Sequence, residues 1–161
     1  MKETELGAYI VSWLENKGWD VYQEVRPAIG RMSSPTCDIV ATKDGKVWAI
    51  ECKTGLGFPV LIQAQRWRAD YRSVAVVIRT SKRLPHEVAS CALEHFKCGI
   101  LLLRGNPDTD YRVQERIKAP LMKYMSKWDK AQRTKLIKAL RPEHKTMSKA
   151  GSAAGGMWTP Y

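Results

Sequence analysis

Two carboxylates and one lysine carry the clearest chemistry in this sequence. Asp38, Glu51 and Lys53 lie within the stretch Cys37 to Gly55, which reads as a β-hairpin. Its apolar runs, Ile39 to Ala41 and Val47 to Ile50, flank a Lys43-Asp44-Gly45-Lys46 turn, and Asp-Gly is a favoured pair for tight hairpin loops. Side chains two apart on a strand share a face, so Glu51 and Lys53 point the same way and Cys52 points into the core. The hairpin returns the end of its second strand to Asp38. Carboxylates held together repel unless a cation sits between them, and hard divalent cations take oxygen ligands. A neighbouring ammonium orients a water or stabilises charge growing on a phosphate. Together these groups make a phosphodiester-hydrolysis site. The plain alternative is an Asp that caps a turn and an exposed Glu–Lys pair at a strand end. E-x-K alone does not separate the two.

Pro35-Thr36-Cys37-Asp38, followed by Ile50-Glu51-Cys52-Lys53, resembles the core motif of the PD-(D/E)xK nuclease superfamily. One departure is that Pro35 stands three positions before the Asp, not next to it. The resemblance implies that Asp38 and Glu51 bind Mg²⁺ or Mn²⁺, that Cys52 lends only its backbone carbonyl, and that Lys53 assists the attacking water. It also implies an acidic ligand on the first helix, for which Glu5 is the first candidate and Glu3 the second. A Gln near the scissile phosphate is expected on the helix after E-x-K, at Gln63 or, failing that, Gln65. Simpler uses compete: Glu5 as a partner of the helix dipole, Gln63 as a solvent-facing amide.

Periodicity supplies the elements that must hold these residues. Thr4 to Lys17 has Leu6, Ile10, Trp13 and Leu14 on one helical stripe, with Gly18 as its stop. Trp19 to Val25 reads as a strand, with Glu24 near its end and able to face the site. Arg26 to Pro35 is a loop. A helix from Val60 to Tyr71, a strand from Val74 to Ile78, a helix from Pro85 to Phe96 and a strand from Ile100 to Leu103 follow. The order α-β-β-β-α-β-α-β over residues 1–104 predicts an α/β fold, a mixed sheet flanked by helices. This is the restriction-endonuclease-like core that the resemblance implies. Arg104-Gly105-Asn106-Pro107-Asp108 reads as a boundary. Residues 105–161 read as a basic, mostly helical extension, helical from Pro120, ending in a flexible tail or a short docking strand.

The 161 residues carry 27 Lys and Arg against 16 Asp and Glu, a formal net charge of +11. Such an excess favours a polyanion, and DNA over a membrane surface. The candidate DNA contacts are Arg26, Arg31, Arg66, Arg68, Arg72, Lys123, Lys127, Lys130, Arg133 and Lys135. The competing reading of the last five is a Lys-rich helix packed on the core. No apolar run is long enough to span a membrane, and no Walker or Rossmann glycine pattern occurs, so no membrane and no nucleotide cofactor is expected. The four cysteines lack disulfide or zinc spacing. The expected protein is a Mg²⁺- or Mn²⁺-dependent deoxyribonuclease in the cytoplasm of a bacterium or phage-infected cell. It would serve DNA repair, recombination or phage DNA processing, and the resemblance allows a homodimer. The competing reading is a non-catalytic nucleic-acid-binding scaffold of the same fold.

Overall fold

The computed structural model describes residues 1–28, 35–123, 126–146, 150 and 157–160. The hairpin opposes β2 (Cys37–Lys43) to β3 (Lys46–Cys52), with Lys43 paired to Lys46 across a two-residue loop. Asp44 and Gly45 both have positive φ, 49° and 76°, as a type I′ turn requires and as Asp-Gly tolerates. β1 (Asp20–Ala28) runs antiparallel to β2. On the other side β4 (Tyr71–Ile78) and β5 (Gly99–Arg104) add parallel to β3. The chain reaches each of them through a helix, α2 (Phe58–Gln65) and α3 (His86–Glu94), with α1 (Glu3–Asn16) preceding β1. The expected mixed α/β sheet flanked by helices is the one observed.

The strands of this sheet are apolar on both faces because helices cover both. Leu6, Ile10 and Leu14 of α1 pack on Ile39, Ala41, Trp48, Ile50, Cys52, Ala75 and Leu101. On the other face Val60, Leu61 and Ala64 of α2 and Ala89 and Ala92 of α3 pack on Val74, Val76, Ile100 and Leu102. Alternate residues of one strand therefore serve opposite layers, which is why β4 and β5 read as unbroken apolar runs. An aromatic group, Trp13, Trp19, Trp48 and Tyr71, pins α1 to the turn end of the hairpin with ring centroids 5.3–6.5 Å apart.

The segment beyond residue 104 differs from the basic helical extension that was expected. β6 (Arg112–Ile117) adds antiparallel to β5, and β7 (Met157–Pro160) adds parallel to β1, so both edges of the seven-stranded sheet come from this segment. Arg112 to Ile117 alternates charged and apolar residues, the pattern of an edge strand with one wet face. The helical part is shorter than expected. α4 spans Lys127–Lys138 and α5 spans Glu143–Thr146, while residues 118–123 form neither helix nor strand. Leu136 and Ala139 bury α4 against Val40, Val47, Ala49 and Trp67. Part of the expected helical extension, residues 147–149 and 151–156, lies outside the described residues. Among the described residues no helix is long and apolar enough to cross a membrane.

Candidate active site

Asp38 and Glu51 meet at the open end of the hairpin, beyond the rung that pairs Ile39 with Ile50. The Asp38 Oδ2 accepts the Cys52 N–H at 2.8 Å, which fixes the carboxylate against the partner strand. Glu51 is 6% exposed, and its Oε1 accepts the indole N–H of Trp67 at 2.6 Å. Burial pushes the Glu51 carboxyl well above the ordinary range; repulsion from Asp38 and a shared hydrogen bond with it push the same way. Trp67 and Arg66 act against that rise. Two acids that share a hydrogen bond need either a proton or a cation between them. Here burial makes the need acute.

Lys53 follows directly on β3, its N–H bonded to the Ala75 carbonyl at 2.9 Å. Its ammonium lies 3.4 Å from Glu3 Oε1, and both side chains are partly exposed. Asp38, Glu51, Lys53, Glu3, Gln63 and Arg66 line one cavity of about 240 Å³. The structure thus brings together Asp38, Glu51, Lys53 and Gln63 as expected. The Cys52 side chain turns away into the α1 layer, which leaves only its main chain beside the site. Burial first, and then Asp38, Glu51, Glu24 and Glu3 in that order, raise the Cys52 thiol well above its ordinary value. Four acids converge around this residue.

Several expectations need correction. Glu5 is exposed and accepts the Lys2 N–H at 3.1 Å, because it caps the helix whose first residue is Glu3, not Thr4. Glu3 takes the place beside Lys53. The second helix ends at Gln65, since Trp67 leaves the helical path to reach Glu51. Gln65 contributes its carbonyl to Arg68 and Arg72. Arg72 is 4% exposed, also donates to the Phe96 carbonyl at 3.2 Å, and cannot meet a phosphate from there. Arg68 is held by Asp129, 2.6 Å away. Arg133 donates to Asp70 Oδ2 and to the Gly45 carbonyl, each at 2.8 Å, so it is a brace between α4 and the hairpin. Arg26 donates to Thr36 Oγ1 at 3.1 Å. Arg31 lies outside the described residues. Arg66, Lys123, Lys127, Lys130 and Lys135 are exposed.

Two residues escaped the sequence reading or were only grazed by it. Trp67 counts as one more apolar position in a helix, yet a buried indole N–H demands an acceptor, and that demand is the available signal. Glu24, 2% exposed, has φ 53°, and the register that pairs Gln23 with Ile39 and Val25 with Cys37 puts it opposite Asp38. A non-glycine residue in that conformation is held there by its surroundings.

Residues 3–70 match the family model described as archaeal Holliday junction resolvase (hjc), which falls in the PD-(D/E)xK nuclease superfamily. Over these residues, less than half of the chain, the protein is similar to that family. The match covers the first helix, the hairpin and Trp67, and it stops before β4, so α4 lies beyond it. Neither a curated protein nor a solved structure matches the chain.

A divalent metal, which this superfamily implies, fits the donor set. Asp38 and Glu51 supply oxygen only, and a hard cation between them would relieve the repulsion that raises Glu51. Among the described residues no three His, Cys, Asp or Glu side chains form a ready ligand cluster.

Proposed function

We propose that the chain is a metal-dependent deoxyribonuclease of DNA recombination or repair, with branched DNA such as a four-way junction as its substrate. The observation that carries this reading is the Asp38–Glu51 pair, with Glu51 buried against Trp67 and Lys53 in the same cavity of about 240 Å³. The junction comes from the described function of the matched family. Asp38 and Glu51, with the Cys52 carbonyl, would hold Mg²⁺ or Mn²⁺, which supplies Lewis acidity at the phosphate and an acidified water. In the reaction a water oxygen bonds to phosphorus, one ester P–O bond breaks, and the leaving oxygen takes a proton. Lys53 lies where it can hydrogen-bond that water or the phosphate oxygens, with Glu3 positioning its ammonium. Arg66 at the rim places the next phosphate. Opposite strands of a junction are cut by two sites, which a homodimer provides.

The test compares purified wild type with Asp38→Asn and Glu51→Gln on a four-way junction, continuous duplex and single-stranded DNA. Each is assayed in Mg²⁺, Mn²⁺, Ca²⁺ and chelator. Cleavage by wild type in Mg²⁺ or Mn²⁺, absent in both variants and in chelator, supports the reading. Equal cleavage by wild type and Glu51→Gln assigns the activity to something else. Binding without cleavage in every metal moves the chain to the non-catalytic scaffold.

A further inference from the structure

A second cavity, of about 170 Å³, adjoins the catalytic one and shares Pro35 and Arg66 with it. α4 forms its far wall. Trp128, Gln132 and Lys135 stand at i, i+4 and i+7, so they line one helix face, and no carboxylate is among the lining residues. Trp128 is 59% exposed, which is unusual for the largest side chain. Its ring is nonetheless fixed. The Arg68 guanidinium lies 5.2 Å from the ring centroid, and Arg68 is itself held by Asp129 at 2.6 Å and by the Gln65 carbonyl at 3.0 Å. With one face against Arg68, the exposure belongs to the rest of the ring. An indole held in place by a cation, with Arg66 and Lys135 lining the same cavity, has the makings of a single-strand site. Bases stack on an aromatic face, and cations follow the backbone.

We propose that this groove holds an unpaired strand of the DNA beside the scissile phosphate, with one base stacked on Trp128. The proposal rests on the nuclease reading of the adjoining site and adds to it the substrate feature that is read: nucleotides without a partner next to the cut. A base inside a continuous duplex has both faces covered by its stacked neighbours, so the interior of a duplex cannot use the platform. Lys135 meets the backbone two helical turns along from Trp128, and Gln132 offers an amide between them. α4 lies outside the residues matched by the resolvase family model.

The experiment uses the full chain carrying Asp38→Asn, so that DNA is bound without being cut, in Ca²⁺. The probes are a duplex with an unpaired arm at a fork and the same sequence fully paired, with 2-aminopurine placed at successive positions around the fork. Trp128→Ala should weaken fork binding by about tenfold or more and leave the paired duplex within twofold. Quenching of 2-aminopurine at one or two unpaired positions should disappear with it. Trp128→Phe should keep most of both signals. Melting temperatures of the variants check the fold, which the exposed ring should hardly affect. Equal losses on fork and duplex, or unchanged quenching in Trp128→Ala, would overturn the proposal. If wild type cuts DNA and either result holds, only this inference falls. Absence of binding to any DNA removes the nuclease reading along with it.

Discussion

Glu51 must choose between a proton and a cation, and the choice is measurable without any substrate. Its folded-state carboxyl lies above the ordinary value, chiefly through burial and then through Asp38. A group whose affinity for protons rises on folding adds stability below its unfolded value, about 4.5, and that stability is lost as pH climbs through the folded value. The metal-free protein should therefore lose melting temperature across that window. Glu51→Gln should flatten the fall and melt higher at neutral pH, while the shift produced by Mg²⁺ or Mn²⁺ should grow with pH in wild type. Calorimetry in chelator decides it: a wild-type and a Glu51→Gln melting curve with the same pH dependence sinks this account. Trp67 tests the same group from the other side. Trp67→Phe removes the N–H that favours ionised Glu51, and loss of such an outer partner costs about 10- to 100-fold in metal affinity. Titration with Mn²⁺ should read that loss with little change in the fold. The Asp38, Glu51 and Lys53 trio is visible in sequence because hairpin register fixes which side chains meet. The choice between Glu3 and Glu5 was not, because two residues differ by about 200° around a helix and only the start of the first turn decides which faces inward.

At the scale of elements, the same kind of residue does different work on different faces of α4. Arg133 reaches down to Asp70, which is 8% exposed and also accepts the Val47 N–H at 2.8 Å. This ties α4 to the hairpin and to the strand entry at Tyr71. Arg133→Ala leaves Asp70 a buried carboxylate short of its charged partner and should cost about 2–3 kcal/mol, roughly 5–10 °C in melting temperature. Lys130→Ala and Lys135→Ala, on exposed positions, should leave the melting temperature unchanged and lower DNA affinity. A scan in which Arg133→Ala melts like wild type would return Arg133 to the list of DNA contacts. From sequence the two lysines and the arginine are alike, since all sit on one basic stretch. What separates them is a partner 63 residues away in the chain, and pairing over such a span leaves no local pattern. Elements with strong periodicity, such as α1 with its Leu6, Ile10 and Leu14 stripe, were legible to within a residue or two. Arg112 to Ile117 was not, because an edge strand needs only one apolar face.

At the scale of the whole molecule, both edges of the sheet come from the C-terminal segment, so the segment is part of the folded sheet and not an appendage to it. Ending the chain at Asp110 removes β6 from β5, and it takes Leu136 and Ala139 from the layer that buries Val40 and Ala49. Such a truncation should fail to fold cooperatively, as seen by circular dichroism and calorimetry, and a well-folded fragment would contradict this arrangement. The charge that the segment carries is therefore best tested on the intact chain. On the proposed function, exposed Lys53 and Arg66 at the Asp38–Glu51 cavity and Lys127, Lys130, Lys135 and Lys138 on α4 would supply cations for the backbone of one bound DNA, within a chain of net charge +11. Each phosphate they neutralise releases condensed counterions, so affinity falls as a power of salt concentration. For roughly six contacts the loss is about a thousandfold between about 50 and about 200 mM salt. Changing Lys130 and Lys135 together to Gln should flatten the logarithmic slope by about two while the catalytic residues stay intact. Fluorescence anisotropy across a salt series reads the slope directly. A slope near zero in wild type would mean that the excess charge serves something other than DNA, and an unchanged slope in the double variant would move the contacts off α4.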